Sequence, residues 1–205
     1  MGNRLRKRKM MKKIKTVFYW VWSCTWGIIM TAIGAVIALF LLIGGQRPKV
    51  FYYNVYFEVG RAWGGVNFGG FFFVNKNASL STKQHEAGHG LQNLIFGPLM
   101  PFVVAIPSAV RCLLRKFTFT GKKNAAGIIT GLIAALGVVV AVLGFLYVHA
   151  ALGVAGLILA IYGGALALWL YKREIPQYSG GAHVDYDAIW FEGDATRRGE
   201  KNFPL

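Results

Sequence analysis

Five residues, His85-Glu86-Ala87-Gly88-His89, combine side chains and a spacing that could do chemistry. Positions i and i+4 of a helix lie one turn apart on the same face. His85 and His89 on such a helix can bind one Zn²⁺ through imidazole nitrogens. Glu86 sits beside them, where it can accept a proton from a water on that metal. Gln92 falls at i+7 from His85, on the same face, where it could orient a ligand or substrate. A haem role fails on geometry, because i and i+4 of one helix cannot reach opposite faces of one haem.

The motif needs a helix to carry it. Ser81-x-x-Gln84 reads as a capping box that starts one just before His85. Gly97-Pro98 reads as its stop, after about Phe96. Gly88 and Gly90 each cost roughly 1 kcal/mol relative to Ala in a helix interior. Close packing against a neighbouring strand or helix is the expected compensation.

The composition places that helix in a membrane protein. Of 205 residues, 55% are hydrophobic and only 15% charged, which is unusual for a soluble domain. Thr16 to Gln46 carries no charge, and neither do the 48 residues from Asn124 to Tyr171. As one helix the second run would stretch about 70 Å, against a bilayer core of roughly 30 Å. It must fold back once, as spans of roughly Ala125–Val148 and Ala151–Tyr171 joined near His149, which reads as an interfacial residue. Gly127-x-x-x-Gly131 offers a close helix contact there. The net charge of +15 first suggests nucleic acid. Its distribution excludes that partner. Eight of the 23 basic residues lie in the first fifteen positions, and others cluster at Arg111, Arg115, Lys116, Lys122, Lys123, Lys172 and Arg173. These flank spans, where Lys and Arg set topology and meet anionic headgroups. The lipid bilayer is the expected partner. Cys24 and Cys112 form no metal or disulfide pattern and read as small buried residues.

In order, residues 1–15 form a basic tail, disordered or lying on the cytoplasmic membrane face. Residues 16–46 are a first transmembrane helix, too long for a signal h-region, with the N-terminus inside and Trp20, Trp22 and Trp26 in an interfacial belt. Residues 47–123 hold a β-hairpin (Val50–Val59 and Val66–Val74 around a turn at Gly60–Gly65), the motif helix and a Pro-interrupted apolar segment, Leu94–Leu114. The hairpin is an edge strand able to pair with an extended peptide, or a scaffold. Residues 124–171 are the transmembrane hairpin. Residues 172–205 hold six of the eight acidic side chains, and Asp185–Gly199 can form a helix.

A catalytic zinc site wants three protein ligands. Glu192, Asp194, His183, Asp185, Asp187 and Glu58 can each be the third by residue type. His85-Glu86-Ala87-Gly88-His89 with a later Glu192-x-x-Ala195 resembles gluzincin-type metallopeptidases, in which a downstream helix supplies a Glu ligand followed three positions on by a small residue. That resemblance implies Glu192 as the ligand, with Asp194 as the alternative. The segments His85–Gln92, Phe96-Gly97-Pro98, Ile106-Pro107-Ser108 and Trp190-Phe191-Glu192 also resemble a group of uncharacterised bacterial integral membrane proteins. The chain lacks the distinct large catalytic domain of many peptidases. If Glu192 joins the histidines, Leu94–Leu114 must not carry the chain across the membrane. With one span before it, the site then faces outward, against the basic residues of Arg111–Lys123.

The fold expected is a mainly α membrane protein. It has about three transmembrane helices, a β-hairpin and a zincin-like HExxH helix completed by a C-terminal helix. The function expected is a membrane-anchored, zinc-dependent metallopeptidase of the bacterial cytoplasmic membrane, acting on a peptide or protein substrate with Glu86 as general base. Tyr178, Tyr186 and His183 are candidate partners for the reacting groups. The alternative is a non-catalytic membrane protein with a structural zinc. A transporter would carry ionisable residues in its spans, and after Asn124 these hold only His149.

Overall fold

A computed structural model describes residues 2–119, 125–177 and 184–204. It is mostly helical with one small sheet. It divides into two compact units: Met1–Ala105 with Tyr186–Leu205, and Ile106–Asp185.

The first unit begins with two helices, α1 (Gly2–Thr25) and α2 (Ile28–Ile43). The sequence predicts one helix over 16–46, but the chain bends by 99° between them. Gly27 explains the position of the break. A Cβ there would lie 2.2 Å from Asn93 Nδ2, and Asn93 donates that amide to Gly27 O at 3.2 Å. The basic segment is helical rather than a separate tail. The tryptophans also tie α1 and the turn after it to the rest of the unit. Trp20 donates its indole N–H to Tyr53 O at 2.9 Å and Trp22 to Leu94 O at 2.9 Å, while Trp26 reaches Ile95 O at 3.4 Å. Two of these acceptors are carbonyls near a helix C-terminus, which have no partner inside their own helix. Cys24 and Cys112 are free and exposed, not buried.

Four strands follow: β1 (Lys49–Phe51), β2 (Asn54–Glu58), β3 (Gly65–Phe68) and β4 (Phe71–Val74). Their order in the sheet is β1-β2-β4-β3. The expected single hairpin is therefore two. β1 and β2 pair antiparallel around Tyr52, and β3 and β4 around Gly69, both with positive φ. The two hairpins join through a parallel β2–β4 pair. The Gly60–Gly65 stretch is a crossing loop, held by Lys76 N–H to Gly60 O at 3.1 Å and Asn75 N–H to Gly64 O at 3.0 Å.

Side chains alternate across a strand, and both faces of this sheet are covered. Phe57 and Phe73 pack with Ala38 of α2. Tyr56, Phe72 and Val74 face the other way, against Ala87 and Phe203. Ala87 lies on α3 (Leu80–Phe96), the helix of the histidine motif. Its N-cap is Ser79, which accepts from Thr82 N–H at 3.1 Å, rather than Ser81. Gln84 is drawn away from capping, because its amide donates to Phe203 O at 2.7 Å. Gly97, with φ +51, caps the C-terminus. A short 3₁₀ turn (Gly97–Leu99) and a π-helical turn (Pro101–Ala105) follow, so no straight span runs through Leu94–Leu114. The unit closes with a 3₁₀ turn at Tyr186–Ala188 and, numbered in chain order after the helices below, α8 (Trp190–Asn202).

The second unit holds α4 (Ile106–Phe119), α5 (Ala125–Leu143), α6 (Ala150–Trp169) and a three-residue α7 (Ile175–Gln177). With their π-helical extensions, Gly127–Val148 and Ala150–Gln177 run for 22 and 28 residues, long and apolar enough to cross a membrane. His149 breaks the chain between them and caps α6, its Nδ1 accepting from Ala151 N–H at 3.1 Å. The expected contact at Gly127-x-x-x-Gly131 does not form between the helix backbones. Gly127 makes room for the Tyr171 hydroxyl, and a Cβ on Gly131 would meet nothing within 4 Å. The α5 and α6 backbones approach instead at Gly137 and Ala160, at Gly156 and Ala141, and at Gly163 and Ala134. Arg111 is not a lipid-facing flank. It is 1% exposed, lies 3.2 Å from Glu174 Oε2 and donates Nη2–H to Asp185 O at 2.9 Å.

Two alanine substitutions separate these glycines. A Cβ on Gly156 would fall 2.2 Å from Ala141 N, so Gly156→Ala is expected to destabilise by about 1–3 kcal/mol through overpacking. Gly131→Ala is expected to be neutral or stabilising by up to about 1 kcal/mol. Thermal unfolding of the two variants in detergent checks both.

Candidate metal centre

The site is built where α3 crosses α8. Neither helix could approach so closely with larger residues at the crossing. A Cβ on Gly88 would lie 1.9 Å from Ala195 O, and one on Gly199 would lie 2.1 Å from Gln84 O. That contact accounts for the glycine inside the motif. It also carries Glu192, in the first turn of α8, over the face that holds His85 and His89. The histidine rings sit edge to face, 4.7 Å between centroids. Glu192 Oε2 lies 3.3 Å from His85 Nε2 and 3.1 Å from His89 Nε2. The ligand atoms of the three residues all lie within 4.8 Å of one another. Glu192 is fully buried, while the His85 and His89 side chains keep 14% and 9% of their surface open.

The partners behind the histidines decide which ring nitrogen carries a proton. Gln92 Nε2 donates to Phe191 O at 2.8 Å and to Asp194 Oδ2 at 2.9 Å. Its Oε1 must therefore be the atom 2.8 Å from His89 Nδ1, and it can only accept. His89 carries its hydrogen on Nδ1, and its Nε2 lone pair faces the Glu192 carboxylate. Two acceptors 3.1 Å apart need a cation between them. With only protons available, burial opposes the charged ring, but Glu192 and Glu86 together raise the His89 pKa above its ordinary value. A divalent metal satisfies the same three donors without protonating them. On the other ring, His85 Nδ1 lies 2.8 Å from Thr196 Oγ1.

Glu86 is held on the sheet side of α3. Asn67 of β3 donates its amide to Glu86 O at 2.8 Å. The carboxylate lies against Gly65, where a Cβ would fall 2.4 Å from Glu86 Oε1. Burial raises the Glu86 pKa, partly offset by His89 and His85. Among the described residues its Oε2 has no hydrogen-bond partner. A buried carboxylate oxygen left without a partner is costly.

The other sequence candidates lie elsewhere. Asp194 does not join the group. Burial works against its charge, but hydrogen bonds from Arg198 and Gln92 hold its pKa below the usual range. Glu58 pairs with Lys49 at 2.8 Å and Lys83 at 3.5 Å, and Lys49 above all lowers its pKa. Asp187 packs its carbonyl on Gly193, and Asp185 gives its carbonyl to Arg111. Tyr186 lies beside His85, 5.7 Å between ring centroids. Tyr178 and His183 fall outside the described residues. Thr196, Asn67 and Gly65 are participants that the sequence reading missed. Thr196 could have been found, because it follows Glu192 by four residues and so shares its helix face.

Comparison of the chain with protein-family models, with curated proteins and with solved structures finds no match. The geometry therefore carries the functional argument alone.

Removing a residue that orients a metal-binding histidine typically costs 10- to 100-fold in affinity. Gln92→Ala is expected to weaken metal binding by about that factor, whereas Asp194→Asn, which keeps an acceptor for Gln92, should change it by less than about tenfold. Competition titration with a chromogenic chelator checks the ranking.

Proposed function

We propose that the chain is a zinc-dependent metallopeptidase held in a membrane by the α5–α6 hairpin. The observation that carries this reading is the placement of Glu192, 103 residues beyond His89, against both histidine Nε2 atoms and next to a buried carboxylate that has no hydrogen-bond partner. Two imidazoles and one carboxylate suit Zn²⁺. Three protein ligands support a catalytic reading, since structural zinc sites are closed by four. Zinc bound there would lower the pKa of a coordinated water and polarise a substrate carbonyl.

The protein's own groups supply the remaining steps. Gln92 and Thr196 hold the two rings with Nε2 turned inward. Glu86 takes the proton of the attacking water at its carboxylate and passes it to the leaving amine. Its raised pKa suits that double role. β3 is an edge strand of the sheet and leads from Gly65, beside Glu86, through the exposed Val66. An extended peptide pairing with that edge would lie along the site. Tyr186, whose ring lies beside that of His85, is a candidate to meet a developing negative charge.

The test separates catalysis from binding. Glu86→Gln is expected to keep zinc but to lower hydrolysis of a fluorogenic peptide library by about 10²- to 10⁴-fold. Glu192→Ala is expected to lose both zinc and activity. Unchanged hydrolysis in Glu86→Gln overturns the catalytic reading, and full zinc retention in Glu192→Ala overturns the ligand set.

A further inference from the structure

We propose that α1 and α2 rest on an anionic membrane surface without crossing it, so that the metal centre opens on the same side as the basic N-terminus. The inference rests on the reading that the α5–α6 hairpin crosses a bilayer, and it assigns the substrate to the cytoplasmic side.

The first argument is depth. α2 has 16 residues, about 24 Å of helix against a hydrocarbon core of roughly 30 Å. It cannot be extended by α1, which leaves at 99°. The sheet also lies along its whole length. Thr31 meets Gly69, Gly34 meets Phe68 and Phe71, and Ala38 packs with Phe57 and Phe73. If α2 spanned the bilayer, these strands would share its depth. β1 and β3 would then present open strand edges to hydrocarbon, and the Lys49–Glu58–Lys83 ion pairs would lie beside them. Unpaired backbone groups are not tolerated in lipid.

The second argument is the outer face of α2. Ile28, Ile29, Ile33, Val36, Leu39, Phe40, Leu42 and Ile43 are all exposed, so the whole face of α2 turned away from the sheet is apolar. With its other side committed to protein, that face can meet the acyl chains from the membrane surface while the helix stays too short to span the core. The eight basic residues among the first fifteen positions supply the attraction to anionic lipid, each worth about 1 kcal/mol near such a surface.

The third argument is sidedness. Lys122 and Lys123 precede the first span of the hairpin, Lys172 and Arg173 close the second, and the tip at Tyr147-Val148-His149 has neither Lys nor Arg. The positive-inside rule puts both hairpin ends in the cytoplasm. The N-terminal charges belong there too. Both hold only when the chain between them crosses an even number of times, and α1–α2 as a surface element makes that number zero once the bent Leu94–Leu114 segment, which keeps Glu192 on the side of the histidines, does not cross either. The conflict created by a spanning first helix then disappears.

The experiment is cysteine mapping of the full chain in sealed vesicles, with Cys24 and Cys112 changed to Ser. Lys12→Cys, Lys76→Cys and His149→Cys each place one thiol at an exposed position. A membrane-impermeant maleimide is expected to label Lys12→Cys and Lys76→Cys only in inside-out vesicles, and His149→Cys only in right-side-out ones. Labelling of Lys12→Cys and Lys76→Cys from opposite sides would show a crossing and overturn the inference while leaving the peptidase reading intact. Arg47→Cys, just past α2, gives a second reading of the same side if Lys76→Cys fails to accumulate. Release of the unmodified protein from membranes by alkaline carbonate would overturn the membrane reading and this inference together.

Discussion

The close crossing of α3 and α8 is the contact on which the site depends. Gly88 and Gly199 remove the side chains that would hold the helices apart, and backbone meets backbone at Ala195 and Gln84. Everything chemical follows from that approach. Glu192 enters the histidine face, Thr196 reaches His85 and the Phe191 carbonyl reaches Gln92. A larger side chain at the crossing would separate the two halves of the site by ångströms, and metal donors tolerate only tenths of an ångström. The glycines' unfavourable helix propensity is offset by the one geometry that joins distant segments.

The sheet gives this crossing something rigid to stand on. α3 packs on one of its faces through Ala87 and Leu91, and α2 covers the other. Sandwiched in this way, a short four-stranded sheet keeps an apolar core on both sides, where a lone hairpin would be marginal. β3 then serves the site from the edge. Its Asn67 fixes the α3 backbone at Glu86, and Gly65 leaves space for the Glu86 carboxylate. The same architecture limits how the first apolar run can meet a membrane, since a helix committed to a sheet along one face is free to touch lipid only with the other.

The second unit stands on different terms. Its helices carry no charge over the hairpin and approach backbone to backbone through glycine and alanine. The buried Arg111 beside Glu174 is the exception. Breaking such a pair from one side costs several kcal/mol, because it strands the remaining charge.

The local features were legible in the sequence because they rest on local rules. The i, i+4 spacing of His85 and His89, the stop at Gly97 and the length of the uncharged run after Asn124 each follow from helix geometry or bilayer thickness. Gln92 was legible for the same reason. What the sequence alone misplaced were the features set by contacts between distant residues. The cap moved from Ser81 to Ser79 because Gln84 found a partner in Phe203, and one helix became two because Asn93 needed the space at Gly27. A single hairpin became two because parallel pairing of β2 with β4 has no local signature. The glycine contact shifted from Gly131 to Gly137, Gly156 and Gly163 because the register of two helices depends on both. The sequence by itself determined the histidine pair that could bind a metal and the uncharged run after Asn124 that is long enough for two spans. Only the tertiary structure decided that Glu192, rather than Asp194 or Glu58, meets the histidines, since that choice depends on where α8 crosses α3.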